Sequence, residues 1–294
     1  MNRLALVLCL MTSLNLTTVH AALDPTQPLA DVPPYSLFKR WAAPVTPFEM
    51  APNVWYVGTE NLSSLLLTTP QGHVLIDAAL DESAPQIKRN IESLGFHLDD
   101  IRYILNSHAR LDQAGGIARL KAWSGAKVVA SEPNARQMRQ GGKGDFALGD
   151  ALPFPPVQTD ILVKDGQRLH LGGLTLTALL TPGHLPGATS WRVSLANGQT
   201  LIYADSLATP GYPLVNNKNY PTLINDIRHS FTVLAAQRAD IFVANKGERF
   251  ALTQKIAALA KGNKKAFYDE QGLKRYVEQS QARFEKKLAE QVKK

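Results

Sequence analysis

The chain is 294 residues long, 45% hydrophobic and 19% charged, with a formal net charge of +7 and a single cysteine. That length and apolar content suit one large domain with a substantial core, and a lone Cys9 excludes a disulfide-stapled scaffold. No nucleic-acid recognition motif accompanies the positive excess. Part of it, Lys286, Lys287, Lys293 and Lys294, falls in one C-terminal helical pattern, so a solvated helix face is expected and not a nucleic-acid surface.

Residues 1–21 read as a secretory signal peptide: Asn2-Arg3 is a positive start, 4–10 an apolar run, and Val19-His20-Ala21 a small-residue cleavage signal. The apolar run is too short to span a bilayer. Export to the periplasm follows, with no membrane association once the signal is removed. Cys9 and Arg3 leave with the signal, so the mature chain carries no thiolate ligand and a formal charge lowered to +6. Residues 22–52 are proline-rich and read as an extended N-terminal arm, with Trp41 and Phe48 placed to pin it to the body; 53–294 reads as one domain and a monomer.

Strands are expected at 54–57, 62–69 and 74–76, then a helix over 81–94 with Ile87, Ile91 and Leu94 on one face and Gly95 as its stop. Strand 101–106, helix 115–123 and strand 127–130 follow, and a glycine-proline loop covers 141–156. A loop of that length without its own structure is often functional. Strands resume at 160–163, 169–171, 174–180, 189–193 and 200–203, with Asp165-Gly166 and Asn197-Gly198 as hairpin signals. A second glycine-proline loop spans 208–221, and helix 225–237, strand 241–243, helix 252–261 and a terminal helix from Asp269 complete the chain. Strands then helices, twice over, predict two β-sheets packed face to face with helices outside.

Four loops that follow strand-like runs carry polar side chains: His108, Arg110, Asp112 and Gln113; His184 after Thr181-Pro182-Gly183; Asp205-Ser206; and Lys246 between Asn245 and Gly247. Strand ends are where α/β sheets present chemistry. Two imidazoles and a carboxylate with an open fourth position make a catalytic zinc site. Spacing alone leaves other readings open. Arg110 can pair with Asp112, Asp205-Ser206 can cap the next loop, and Lys246 can be a solvated loop lysine. His73, His97, His170 and His229 are read as ordinary surface or hydrogen-bonded residues.

Five stretches carry a family resemblance: Gly58-Thr59-Glu60-Asn61-Leu62, residues 105–116, residues 181–190, residues 203–212, and Arg228-His229-Ser230-Phe231. On these, in this order, the chain resembles a metallo-β-lactamase of the third, cysteine-free subclass. The resemblance implies an αββα sandwich with two mixed sheets and an active site at one edge. It implies zinc, hydroxide attack on the carbonyl of a β-lactam (carbapenem, cephalosporin or penicillin), and a role in antibiotic resistance. Of the family's two zinc sites, one falls on His108, Arg110 and His184 and the other on Asp112, Gln113 and Lys246. Three of those six positions no longer carry the family's histidine, and charged arginine and lysine cannot ligate. The family's late disulfide positions fall on Ala239 and Lys264.

One zinc is therefore expected rather than two, on His108, His184 and Asp112, with the Gln113 carbonyl oxygen as a weak further ligand. Asp112 either binds the metal or orients the attacking water. Arg110 and Lys246 are expected to replace the charge of the missing ion and, with Ser206, to bind substrate. Two other functions stay in competition: hydrolysis of another ester, lactone or thioester on the same fold, and a catalytically weak or inactive periplasmic binding protein.

Overall fold

The computed structural model describes residues 39–293. The signal-peptide reading and most of the N-terminal arm lie outside those residues. The body is built from twelve strands in two sheets. The first contains β1 (Phe48–Ala51), β2 (Val54–Tyr56), β3 (Leu65–Leu67), β4 (His73–Ile76), β5 (Ile101–Leu105), β6 (Lys127–Ser131) and β7 (Ile161–Val163), in that spatial order. Its first four strands run antiparallel to their neighbours, and β4 to β7 run parallel. The second contains β8 (Arg168–Leu171), β9 (Leu174–Leu180), β10 (Thr189–Ser194), β11 (Thr200–Ala204) and β12 (Ile241–Ala244), antiparallel except for the β11–β12 pair. Both sheets are mixed, as expected.

Strand periodicity sorts the first sheet's side chains into two cores. Leu65, Leu67, Val74, Ile76, Leu105 and Val129 face the second sheet and join its Leu176, Ala178, Trp191, Val193 and Tyr203 in one cluster. Their neighbours Leu66, Leu75, Ile104, Val128 and Ala130 point the other way, onto α2 (Ala84–Ser93) and α4 (Ile117–Ser124), through Ile87, Ile91, Ile117 and Leu120. Runs that are apolar at every position are what a sheet covered on both faces requires. On the far side α6 (Leu223–Ala235) and α8 (Gly272–Val292) cover the second sheet through Ile227, Phe231, Leu234, Tyr276 and Phe284. The layers are α, β, β and α; the shorter helices are α1 (Lys39–Ala42), α3 (Leu111–Ala114) and α7 (Leu252–Ala260).

Three elements differ from the sequence reading. Phe48–Ala51, read as the end of the arm, is edge strand β1, held by Phe48 stacking on Tyr56 and Phe267 at 5.4 and 5.2 Å. Residues Glu132–Arg139 form a helix, α5, whose buried face is Asn134, Ala135 and Met138; with one long apolar side chain on that face, periodicity had little to report. Asp165-Gly166 makes its turn, with Gly166 at φ +70°, yet the flanking β7 and β8 belong to different sheets. It is the crossing between the layers, not a hairpin. Asn197-Gly198 does close a hairpin, between β10 and β11.

The parallel crossovers bring the ends of β5, β11 and β12 to one edge of the sandwich, and buried polar contacts fix the loop that leaves β5. Asp77 accepts from the Ser107 amide at 2.7 Å, the Ser107 hydroxyl at 2.5 Å and the Tyr203 hydroxyl at 2.8 Å. Trp191 Nε1 donates to the Asn106 carbonyl at 3.1 Å, and Asn134 Nδ2 donates to Asn106 Oδ1 and the Ser107 carbonyl at 3.0 and 3.1 Å. Gly116 lets the following chain pass: a Cβ there would stand 2.4 Å from the Ala78 carbonyl oxygen. Replacing Asp77 by alanine leaves the Tyr203 hydroxyl its bond to the Ser63 carbonyl at 2.9 Å but strands the buried Ser107 amide and hydroxyl. It should cost roughly 3 kcal/mol of unfolding free energy, read as a lower urea midpoint at unchanged slope; a loss within about 0.5 kcal/mol would contradict this role.

Candidate active site

The four loops singled out by sequence do meet. Arg110, Asp112, His184, Ser206 and Lys246 line one cavity of about 430 Å³, with Trp41, Tyr212, Arg249 and Arg283 among its other walls. His108 lies fully buried against it, its ring 4.9 Å from that of His184.

Each histidine is oriented by a bond on its Nδ1. His108 Nδ1 lies 2.6 Å from Asp205 Oδ1, which Asn245 Nδ2 also contacts at 2.8 Å. His184 Nδ1 donates to the Ala208 carbonyl at 2.8 Å. Both leave Nε2 facing other groups, the arrangement that outer-sphere partners impose on metal-binding histidines. Burial lowers the His184 pKa to about 3, helped by the charges of His108 and Arg110, so its Nε2 carries a lone pair. Burial also disfavours a charged His108, but the carboxylates of Asp205 and Asp112 outweigh it and raise its pKa to about 10.

Asp112 is divided between two partners. Its Oδ1 is 3.3 Å from His108 Nε2, and its Oδ2 accepts from Lys246 Nζ at 2.6 Å. Burial opposes its ionisation, yet Lys246 and His108 hold its carboxyl well below the usual range. Lys246 sits against the Trp41 face as well, 3.8 Å from the ring centroid, a cation–π contact that fixes the ammonium from the other side. Trp41 pins the arm where the sequence suggested, and it does so on the site itself.

Arg110 is not the partner of Asp112. Its Nε and Nη2 make a two-pronged bond to Asp145 at 2.7 and 2.9 Å, while Nη1 donates to the Tyr212 hydroxyl and lies 3.5 Å from His184 Nε2. Planar, two-pronged pairing is what distinguishes arginine from lysine. Asp145 was missed by the sequence reading; the available signal was its place in the long glycine-proline loop. Gln113 gives Nε2 to the Asn245 carbonyl at 2.9 Å, and its buried Oε1 has no partner among the described residues. Ser206 Oγ accepts from the Ala208 amide at 3.2 Å, so it does cap its loop, and it faces the cavity too.

The donor types present at the site fit a zinc ion. His108 Nε2, His184 Nε2 and Asp112 Oδ1 are the ligand types a single zinc takes. Arg110 and Lys246 occupy the remaining places with donors. Among the described residues no three His, Cys, Asp or Glu side chains form a ready-made metal group, and Arg110 Nη1 stands beside His184 Nε2.

A family model for the metallo-beta-lactamase superfamily matches residues 57–249. A solved metallo-beta-lactamase with a HARLDQ motif from Cronobacter sakazakii is 70% identical, covering 88% of this chain and 100% of that one, at a TM-score of 0.87. Those six letters are residues 108–113 here. BJP-1, a subclass B3 metallo-beta-lactamase of Bradyrhizobium japonicum, is 34% identical over 87% of this chain and 98% of that one, at a TM-score of 0.81. An N-acyl homoserine lactonase of Agrobacterium fabrum is 26% identical over 172 residues, 47% of this chain and 61% of that protein. The chain spans less than two thirds of the first curated relatives it matches, 57% and 61% of their length.

The Arg110–Asp145 pair has a pH signature. Burial raises the Asp145 carboxyl, but the bonds and charge of Arg110 outweigh it, and the net shift is downward from 3.8. A lowered folded pKa gives stability that is present above the unfolded value and lost as pH falls through the folded one. Asp145→Asn should therefore lower the melting temperature at pH 7 and narrow its gap to the unchanged protein below about pH 4. A gap that is constant from pH 7 to pH 3 would rule the pair out as its cause.

Proposed function

The chain belongs to the metallo-beta-lactamase superfamily and is a metallo-hydrolase, and from that membership we propose that it is an exported, periplasmic β-lactamase working with one zinc ion. The observation that carries the reading is the division of Asp112: Oδ1 on the side of His108, Oδ2 on the Lys246 ammonium at 2.6 Å. A lysine standing on a metal-type carboxylate supplies positive charge where the family places a second ion. The match to HARLDQ metallo-beta-lactamase structures at 70% identity supports the β-lactam substrate class.

His108, His184 and Asp112 would hold the zinc, through Nε2, Nε2 and Oδ1. Zinc bound there supplies Lewis acidity and a water acidic enough to ionise near neutral pH. Asp205 and the Ala208 carbonyl hold the two imidazoles in the orientation that presents Nε2. Lys246 keeps Asp112 ionised, and its free N–H groups can donate to negative charge that develops on a carbonyl oxygen or leaving nitrogen. Burial of the walls strengthens that interaction, because low dielectric favours fixed donors.

The charge equivalence argued from sequence is incomplete. Two zinc ions with one aspartate match one zinc with that aspartate, Arg110 and Lys246, but Asp145 cancels Arg110. The centre falls one positive charge short, and Lys246 alone carries the compensation. Arg110 acts as a fixed donor and wall. Turnover below that of two-zinc relatives follows. Hydrolysis of a lactone, ester or thioester is the second reading, supported by the lactonase relative.

Purified protein should hydrolyse nitrocefin and a carbapenem, lose that activity with chelator and regain it with zinc. His184→Ala should lower both zinc retention and turnover by about a hundredfold or more. Lactone or thioester substrates outrunning every β-lactam would move the assignment to the second reading, and undiminished turnover after His184→Ala would remove the site.

A further inference from the structure

The two cations nominated by sequence for substrate binding are already committed, Arg110 to Asp145 and Lys246 to Asp112. The cavity has two more. Its walls carry Arg110, Lys246, Arg249 and Arg283 against the carboxylates of Asp112 and Glu248. Arg249 contacts Glu248, its chain neighbour, at 3.5 Å with both side chains more than a third exposed, a pair of little energetic weight. Arg283 bonds the Ser280 hydroxyl at 3.0 Å, and among the described residues it makes no ion pair.

The placement of Arg283 is built into α8. Tyr276, Ser280, Arg283 and Lys287 recur at helical spacing and share one face. That face is fastened to the cavity wall: the Tyr276 hydroxyl donates to the Asp205 carbonyl at 2.9 Å and accepts from the Leu207 amide at 3.0 Å, and Lys287 Nζ donates to the Thr209 carbonyl. Ser206 lies in the fastened loop, beside the same cavity. Burial and the neighbouring Arg249 both disfavour the Arg283 charge and lower its pKa. Two guanidinium groups on the wall of one cavity, without a strong carboxylate partner, attract an anion that relieves both costs.

We infer that Arg249 and Arg283 form a carboxylate-binding subsite in the cavity wall, which recognises the anionic group of the substrate while the ring to be opened faces His108, His184 and Asp112. This rests on the β-lactamase reading, since β-lactam antibiotics carry such a carboxylate beside the ring. Planar forks suit a carboxylate better than lysine does, so the subsite selects for charge and for shape.

The test compares benzylpenicillin with its methyl ester, which lacks the charge. Two readouts run on the same zinc-loaded preparation: KM from hydrolysis, and Kd from calorimetry after chelator has stopped turnover. The unchanged protein should favour the acid about tenfold or more in both. Arg249→Gln with Arg283→Gln should erase that preference, and Arg283→Lys should keep part of it. Circular dichroism melts show that each variant is folded. An acid-over-ester preference that survives in the double variant, or is absent from the unchanged protein, overturns the subsite. A preference that is present and lost in the double variant, with no hydrolysis of either compound, supports the subsite and strikes the β-lactamase reading instead.

Discussion

Charge removed from water must find a partner, and at the open edge of this sandwich the partner is repeatedly Asp112. Its carboxylate is buried, and isolated burial of such a charge is prohibitive. Lys246 on one oxygen and His108 beside the other make it affordable. Everything nearby follows from that compensation. Lys246 is clamped under Trp41, His108 is tied back to Asp205, and Asp205 is tied to Asn245. Arg110 needs its own counter-charge and takes it from Asp145, 35 residues away.

The fold makes this arrangement rigid by the same economy of buried polar groups. The loop after β5 is held by Asp77 just past the end of β4, from β10 by Trp191 and from α5 by Asn134. Three layers of the sandwich therefore meet on Asn106 and Ser107, and the histidine that follows has little freedom. Function depends on that restraint, because a ligand or donor misplaced by an ångström loses much of its effect. Three of the six positions that correspond to the family's ligands thus keep a ligand-type side chain, two carry the hydrogen-bonded cations Arg110 and Lys246, and one carries the hydrogen-bonded amide Gln113.

Most of the architecture was legible in the chain. The runs at 174–180 and 200–203 are strands within a residue of their observed limits, and the double covering of the first sheet shows in its unbroken apolar strands. His108, Asp112, His184 and Lys246 were legible as one cluster because each follows a strand end, the first three within stretches that resemble the family and Lys246 in the loop after β12. Asp145 was not. Its partner is far away in sequence, and a loop aspartate bonding the amides of Ala147 and Leu148 looks like an ordinary turn. Helix α5 was missed because it buries asparagine and alanine where periodicity expects leucine. The role of Asp165-Gly166 was misjudged for a topological reason: a turn signal says the chain reverses, not which sheet it joins next.

In the proposed function, Lys246 on Asp112 excludes a second metal and takes over its charge. Native mass spectrometry of the protein equilibrated with excess zinc measures this directly. One zinc bound per chain is the predicted state. Two tightly held zinc ions per chain would mean that the ammonium yields its place, and would contradict it.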